Sequence, residues 1–161
     1  MRIILVDWMI DVSVRFRLQT ETFHLAVNLT DRFIGKRMVR RSEMQLLGVT
    51  SLAIAAKYQE IYPPLTDDLV YMTNDACQKE QVLSMEEQIL SVLEFEINVP
   101  TPNYFVEIFT RAINMADFPI ALSSIGFLVD LAILMHVDLN YSPSIIALSA
   151  MRLSFFRMSQ I

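Results

Sequence analysis

Met44-Gln45-Leu46-Leu47-Gly48-Val49-Thr50-Ser51-Leu52-Ala53-Ile54-Ala55-Ala56-Lys57-Tyr58-Gln59 is the stretch whose reading decides the fold. Gly48, Ser51, Ala53, Ala55 and Ala56 make it unusually rich in small residues. Glycine and β-branched residues lower helix propensity. Small side chains offset that loss where neighbouring helices must approach closely, so the stretch reads as the central helix of a bundle. Ser42 is expected to cap it, with Gln45 three residues on completing a capping box, and the helix is expected to run from Glu43 to Gln59.

Helical patterning extends to both sides. Met1 to Phe16 lacks glycine and proline and reads as a first helix. Thr20 is placed to cap a second, through Phe23, Leu25, Ala26, Val27 and Leu29 to Ile34, with Gly35 expected to end it in a left-handed conformation. Pro63-Pro64 stops the chain, Thr66-Asp67-Asp68 starts a short fourth helix, and Asn74-Asp75 breaks it. Lys79 to Leu93 forms a fifth. The segment Glu94 to Asn103, with Pro100 and Pro102, is the best boundary between two domains. Beyond it, helices are expected over Asn103–Met115, Pro119–His136 and Ser142–Met158.

Composition narrows the class. The 161 residues suffice for one ordinary domain or two very small ones. Eighteen acids against 13 bases give a net charge of −5, which argues against a protein that tracks phosphates. A hydrophobic fraction of 53% with 19% charged residues excludes disorder. Three glycines and six prolines leave too few turns for an all-β chain. Cys77 is the single cysteine, so no intramolecular disulfide forms and a reducing compartment is expected. The longest apolar run, Ile120 to Met135, carries Asp130 and falls short of the ~20 residues of a membrane span. Arg2 and Asp7 open the chain in a way no signal peptide does.

Five blocks of sequence, in order, carry a resemblance. They are Met1-Arg2-Ile3-Ile4-Leu5-Val6-Asp7-Trp8; Glu21 to Asn28 followed by Asp31-Arg32-Phe33; Met44-Gln45-Leu46-Leu47-Gly48; Ala55-Ala56-Lys57-Tyr58-Gln59-Glu60-Ile61-Tyr62-Pro63-Pro64; and Met85-Glu86. Their order and spacing over residues 1–98 resemble the cyclin box of mitotic A/B-type cyclins. Residues 99–161 resemble, less specifically, the start of the family's second repeat. The resemblance implies an all-α cyclin fold: a complete five-helix first repeat in 1–98 and a partial second repeat of about three helices in 99–161. The family ordinarily has a helix and regulatory extension ahead of the box and five helices in the second repeat, so an uncovered apolar face is expected on the second half.

The first helix reads as having two apolar stripes at about 100° per residue, Met1, Leu5, Trp8 and Val12 on one side and Ile3, Val6, Ile10 and Val14 on the other. One stripe suffices for a helix packed on a core, so the second is either buried as well or an exposed patch. The resemblance selects the patch: in cyclins the Met–Leu–Trp stripe docks Arg-x-Leu segments of substrates and inhibitors. Asp11, where the family usually has glutamate, would face the docked cation, and Gln45 would bond the peptide backbone. Burying the peptide leucine against Trp8 would contribute on the order of 1.5–3 kcal/mol, more than the roughly 0–1 kcal/mol of an exposed ion pair. Arg2 and Asp31 read as an ion pair orienting two helices, and Asp7 and Arg32 as similar groups.

Lys57 ends a small-residue helix, where a cation complements the carbonyl-rich terminus. The resemblance implies a further role: Lys57 and Glu86 would hydrogen-bond the main chain beside a cyclin-dependent kinase's activation helix, with Ile54, Tyr58, Phe95 and Ile97 as the surrounding apolar surface. Such interfaces draw most of their energy from a few desolvated anchors.

No nucleophile motif, phosphate loop or metal-ligand spacing accompanies His24, His136 and Cys77. No catalytic residue, cofactor or metal is expected, nor a membrane or nucleic-acid partner. Asp67-Asp68 is accounted for by a helix N-terminus, and the 10 methionines suit an adaptable core or contact surface. The resemblance implies a non-catalytic activator of a cyclin-dependent kinase, working in nucleus and cytoplasm. Two alternatives stay open: a transcription-type module with a cyclin-like fold that binds DNA, which the Lys36-Arg37 and Arg40-Arg41 cluster suggests and the acidic total opposes, and an interaction module without cell-cycle control.

Overall fold

From Leu47 to Ala56, every residue of the helix Met44–Gln59 is buried. A helix covered on all sides must have neighbours on all sides, and the computed structural model of the chain, which describes residues 1–74 and 76–158, supplies them. The helices are α1 (Arg2–Phe16), α2 (Thr20–Lys36), α3 (Met44–Gln59), α4 (Thr66–Tyr71), α5 (Lys79–Val92), α6 (Pro102–Ala112), α7 (Pro119–Leu134) and α8 (Pro143–Met158). No strand occurs among the described residues. The chain divides into two compact units, Met1–Val99 and Pro100–Ile161.

In the first unit α2 and α5 pack most closely on α3, with α1 and α4 completing the shell. Gly48 explains how α1 gets close: a Cβ there would stand 2.7 Å from Leu5 Cδ1 and 3.5 Å from Met9 Sδ. The floor is continuous, with Val6, Met9, Leu29, Phe33, Leu47, Leu52 and Ile89 all buried. Arg2 and Asp31 join α1 to α2 through two parallel hydrogen bonds of 2.7 Å, from Nε to Oδ1 and from one terminal guanidinium nitrogen to Oδ2.

Several helix ends differ from their sequence reading, and at the start of α2 a group distant in the chain takes over the capping. Thr20 begins α2 but does not cap it. The Gln19 N–H donates to Glu60 Oε1 at 2.7 Å, and the Thr22 hydroxyl donates to the same oxygen at 2.6 Å. Gly35 is not left-handed; α2 continues to Lys36, and extended backbone at Arg37 stops it. Ser42 and Gln45 form no capping box. A 3₁₀ turn over Arg41–Glu43 precedes α3, and Glu43 accepts instead from the Arg40 N–H at 3.1 Å and from its guanidinium at 2.7 Å. That hydrogen bond lowers the Glu43 carboxyl pKa and raises that of Arg40. α1 ends at a left-handed Arg17 (φ 54°). Of the expected Asn74-Asp75 break, Asn74 is left-handed (φ 51°), and Asp75 lies outside the described residues.

In the second unit, Thr101 caps α6 by accepting the Tyr104 N–H at 3.1 Å, and Pro102 occupies the first helical position. Ala121, Ile125, Val129 and Ile133, four residues apart, form the buried face of α7. Ile146, Ala147, Ala150 and Met151 form that of α8. The buried Ser154 hydroxyl donates to the Ala121 carbonyl at 3.3 Å and ties the two helices. The expected uncovered face is present: Ile120, Phe127 and Leu131 on α7, Met135 just after it, and Ile145, Leu148 and Phe156 on α8 are exposed. No helix among the described residues is long and apolar enough to cross a membrane.

Candidate functional site

Two faces of the first unit collect the residues singled out from the sequence. The first lies where α3 ends beside α5. Lys57 Nζ donates to both oxygens of Glu86, at 2.7 and 2.8 Å. Tyr58 is exposed next to it, while Ile54 is buried and backs the face from beneath, which corrects its expected place on the surface. Ile97 is half-buried.

Phe95, just after α5, is presented by an unusual turn. Glu94 and Phe95 are both left-handed, at φ 55° and 58°. For non-glycine residues that conformation costs roughly 1–2 kcal/mol each. The Phe95 N–H donates to the Leu90 carbonyl at 2.9 Å, so the chain folds back over the end of α5 and leaves the Phe95 ring 70% exposed. Two cations from α2 hold the turn: Arg32 donates to the Glu96 carbonyl at 2.7 Å, and Lys36 to the Val92 carbonyl at 3.3 Å. The strained turn is thus held from outside and presents a large aromatic to solvent. Leu83 and Leu90 belong to the same face, three residues before and four after Glu86; the first is exposed and the second half-buried. Sequence reading missed both, although the spacing of 83, 86 and 90 was available to reveal them.

The second face runs along α1. Met1 is exposed and Trp8 half-buried, but Leu5 and Val12 are buried and are not part of an open stripe. The correction has a steric cause: Leu5 is drawn into the space left by Gly48 on α3. Ile4, at 72% exposure, takes the position assigned to Leu5. The open stripe is therefore Met1, Ile4, Trp8 and Asp11, at spacings of three, four and three that keep one side of the helix. Asp11 is exposed, and Gln45, in the first turn of α3 one turn ahead of Gly48, is half-buried.

Two of the three residues with potential reactivity, His24 and Cys77, are embedded in the scaffold, and His136 is half-buried. His24 is buried in α2, edge-on to Phe23 with ring centroids 5.6 Å apart. Cys77 is buried, and desolvation raises its thiol pKa against a smaller opposing hydrogen bond with Thr73. No group of three or more His, Cys, Asp or Glu among the described residues could hold a metal ion. Both faces suit macromolecular contact: a polar clasp accompanied by exposed apolar side chains, and a shallow apolar stripe with an acid at its edge.

Comparison with known proteins matches this chain to a family. The family profile described as "Cyclin, N-terminal domain" covers residues 1–98. Cyclin-B1-1 of Arabidopsis thaliana is 45% identical over 152 residues, spanning 93% of this chain and 35% of that protein. The G2/mitotic-specific cyclin-A of Spisula solidissima is 43% identical over 159 residues, 98% of this chain and 37% of its own. The X-ray structure of a viral cyclin from herpesvirus saimiri superposes with a TM-score of 0.84 at 21% identity, covering 93% of this chain and 66% of that one, a likeness of fold. The chain spans about a third of the length of the curated relatives it matches.

Proposed function

This chain belongs to the cyclin family, and from that premise we propose that it is a non-catalytic regulatory subunit that binds and activates a cyclin-dependent Ser/Thr kinase. The observation that carries the proposal is the Lys57–Glu86 clasp between α3 and α5, with Tyr58 on α3, Leu83 on α5 and Phe95 just after α5 all exposed. A kinase is active when its αC glutamate pairs with the ATP-positioning lysine and its activation loop is ordered. A partner shifts that equilibrium only by binding the active arrangement more tightly. A rigid shelf of α3 and α5 supplies such a preference: Lys57 and Glu86 bond the main chain beside αC, and the exposed apolar side chains exclude water.

The α1 stripe is a separate docking site for Arg-x-Leu segments of substrates and inhibitors. Met1, Ile4 and Trp8 receive the leucine and Asp11 faces the cation. Tethering a substrate there raises its concentration at the kinase without new contacts in the active site. Three of the relatives' names specify mitosis, and control of cell division from nucleus and cytoplasm is the matching role for this chain.

The decisive experiment adds the purified 161-residue chain to a monomeric cyclin-dependent kinase and measures phosphate transfer to a short peptide lacking Arg-x-Leu. A saturable rise in rate is expected. A complex that forms without raising the rate rejects activation, and absence of a complex with every such kinase tried rejects the shelf.

A further inference from the structure

Arg37 and Arg40, just after α2, have no part in either face, yet they border a cleft. Lys36, Arg37, Arg40 and Arg41 put four cations within six residues of a chain whose net charge is −5. Beside them lies a cleft of about 520 Å³, with Phe33, Leu46 and Met85 in its lining and Gln81, Ser84 and Gln88 of α5 along one wall. Those α5 positions lie roughly 100–180° around the helix from Leu83, Glu86 and Leu90 at 100° per residue, so the cleft and the kinase-facing surface are on different sides.

Three features bear on what the cleft accepts. First, its charge is only partly compensated. Glu43 pairs with Arg40 and is also felt by Arg37, so one carboxylate serves two guanidiniums. Arg37 and Lys36 donate to neutral oxygens, those of Gln88 at 3.5 Å and Val92 at 3.3 Å, and Arg41, next in the chain to the lining residue Arg40, makes no ion pair among the described residues. Glu80 is the acid on the opposite wall. Second, Met38 is 98% exposed at the lip, an unbranched and adaptable apolar side chain. Third, the backbone is extended at Arg37 (φ −143°, ψ 137°) and Arg40 (φ −73°, ψ 152°), and the Met38 and Val39 N–H groups donate to no described protein acceptor. An extended segment with open amides is suited to pairing with another extended chain.

We propose that this cleft is a second protein-docking site, taking an acidic linear segment of a partner that carries an aliphatic side chain. The carboxylates meet Arg37 and Arg41, the aliphatic group lies against Met38 and the apolar lining, and the peptide backbone pairs with residues 38–39. Glu43 and Glu80 keep the site from favouring a dense polyanion: spaced acids fit between them, and a continuous phosphate backbone meets repulsion.

The test uses the 161-residue chain and a short fluorescein-labelled peptide of aspartates around a central leucine, followed by anisotropy. Saturable, salt-weakened binding is expected, with a loss of roughly tenfold or more in Arg37→Glu/Arg41→Glu and in Met38→Asp. Exchanging the peptide leucine for serine should weaken binding comparably. The variants should keep wild-type helical circular dichroism and kinase activation, which separates this site from the kinase-facing surface. No binding, equal binding by the variants, or tighter binding of a single-stranded oligonucleotide than of the peptide would overturn the proposal.

Discussion

Lys57 and Glu86, the two side chains assigned to grip a kinase main chain, grip each other in the free chain, with Nζ 2.7 Å from one carboxylate oxygen and 2.8 Å from the other. The clasp must open or share its hydrogen bonds when a partner arrives. Lys57 is 46% exposed at its side chain and Glu86 17%, so solvent screens the pair and its net worth to folding is roughly 0–1 kcal/mol.

That asymmetry gives the first prediction. Lys57→Ala and Glu86→Ala should each move the urea midpoint little, yet weaken kinase binding by about 2 kcal/mol or more, because a desolvated interface leaves the surviving charge unpaired. Calorimetric titration beside denaturation separates the two effects. A large stability loss with unchanged affinity would make the pair a scaffold element.

Arg2 and Asp31 should behave oppositely. Each side chain is 11% exposed, and the two share a bidentate contact. Removing one partner of such a pair costs about 3 kcal/mol. Arg2→Ala and Asp31→Ala should both show this in urea unfolding. Arg2→Lys should recover only part of it, because an ammonium cannot reproduce the guanidinium fork.

Gly48 and Leu5 should be coupled. Gly48→Ala adds a Cβ 2.7 Å from Leu5 Cδ1. Overpacking of about 1–3 kcal/mol then outweighs the ~1 kcal/mol gained in helix propensity. In a Leu5→Ala background the clash disappears, and Gly48→Ala should become neutral or stabilising. A double-mutant cycle measures the difference, and additive effects would mean that the two residues do not touch.

Ile4 and Leu5 are neighbours with different tasks. Ile4→Ser should weaken binding of an Arg-x-Leu peptide while shifting stability by no more than about 0.5 kcal/mol, as expected at an exposed position. Leu5→Ala should instead cost about 2–5 kcal/mol of folding stability. If Ile4→Ser spares peptide binding, the stripe is not the docking site.

Cys77 should be inert in the native state. Burial raises its pKa above that of an exposed thiol and removes it from reagent. A thiol-specific dye at neutral pH should label the folded chain far more slowly than the urea-unfolded chain. Because the folded pKa is the higher one, the thiol's contribution to stability is complete below the unfolded pKa and is lost as pH rises through the folded value. Native labelling at the unfolded rate would contradict the burial.

The sequence by itself determined the helices and their order, because those follow from local pattern: absent glycine and proline, proline stops, and the small-residue run of α3. Its motif blocks also identified the family, and they contain Lys57, Glu86, Arg2 and Asp31. Tertiary structure alone decided what each helix end and helix side does. Glu60 caps α2 from 38 residues beyond Thr22. Periodicity assigns residues to sides of a helix but not to solvent, so Met1, Leu5, Trp8 and Val12 formed a fair stripe until Gly48 drew Leu5 inward and left Ile4 outside. The left-handed turn that presents Phe95 has no glycine to announce it. It exists because Arg32 and Lys36, distant in sequence, hold its carbonyls in place.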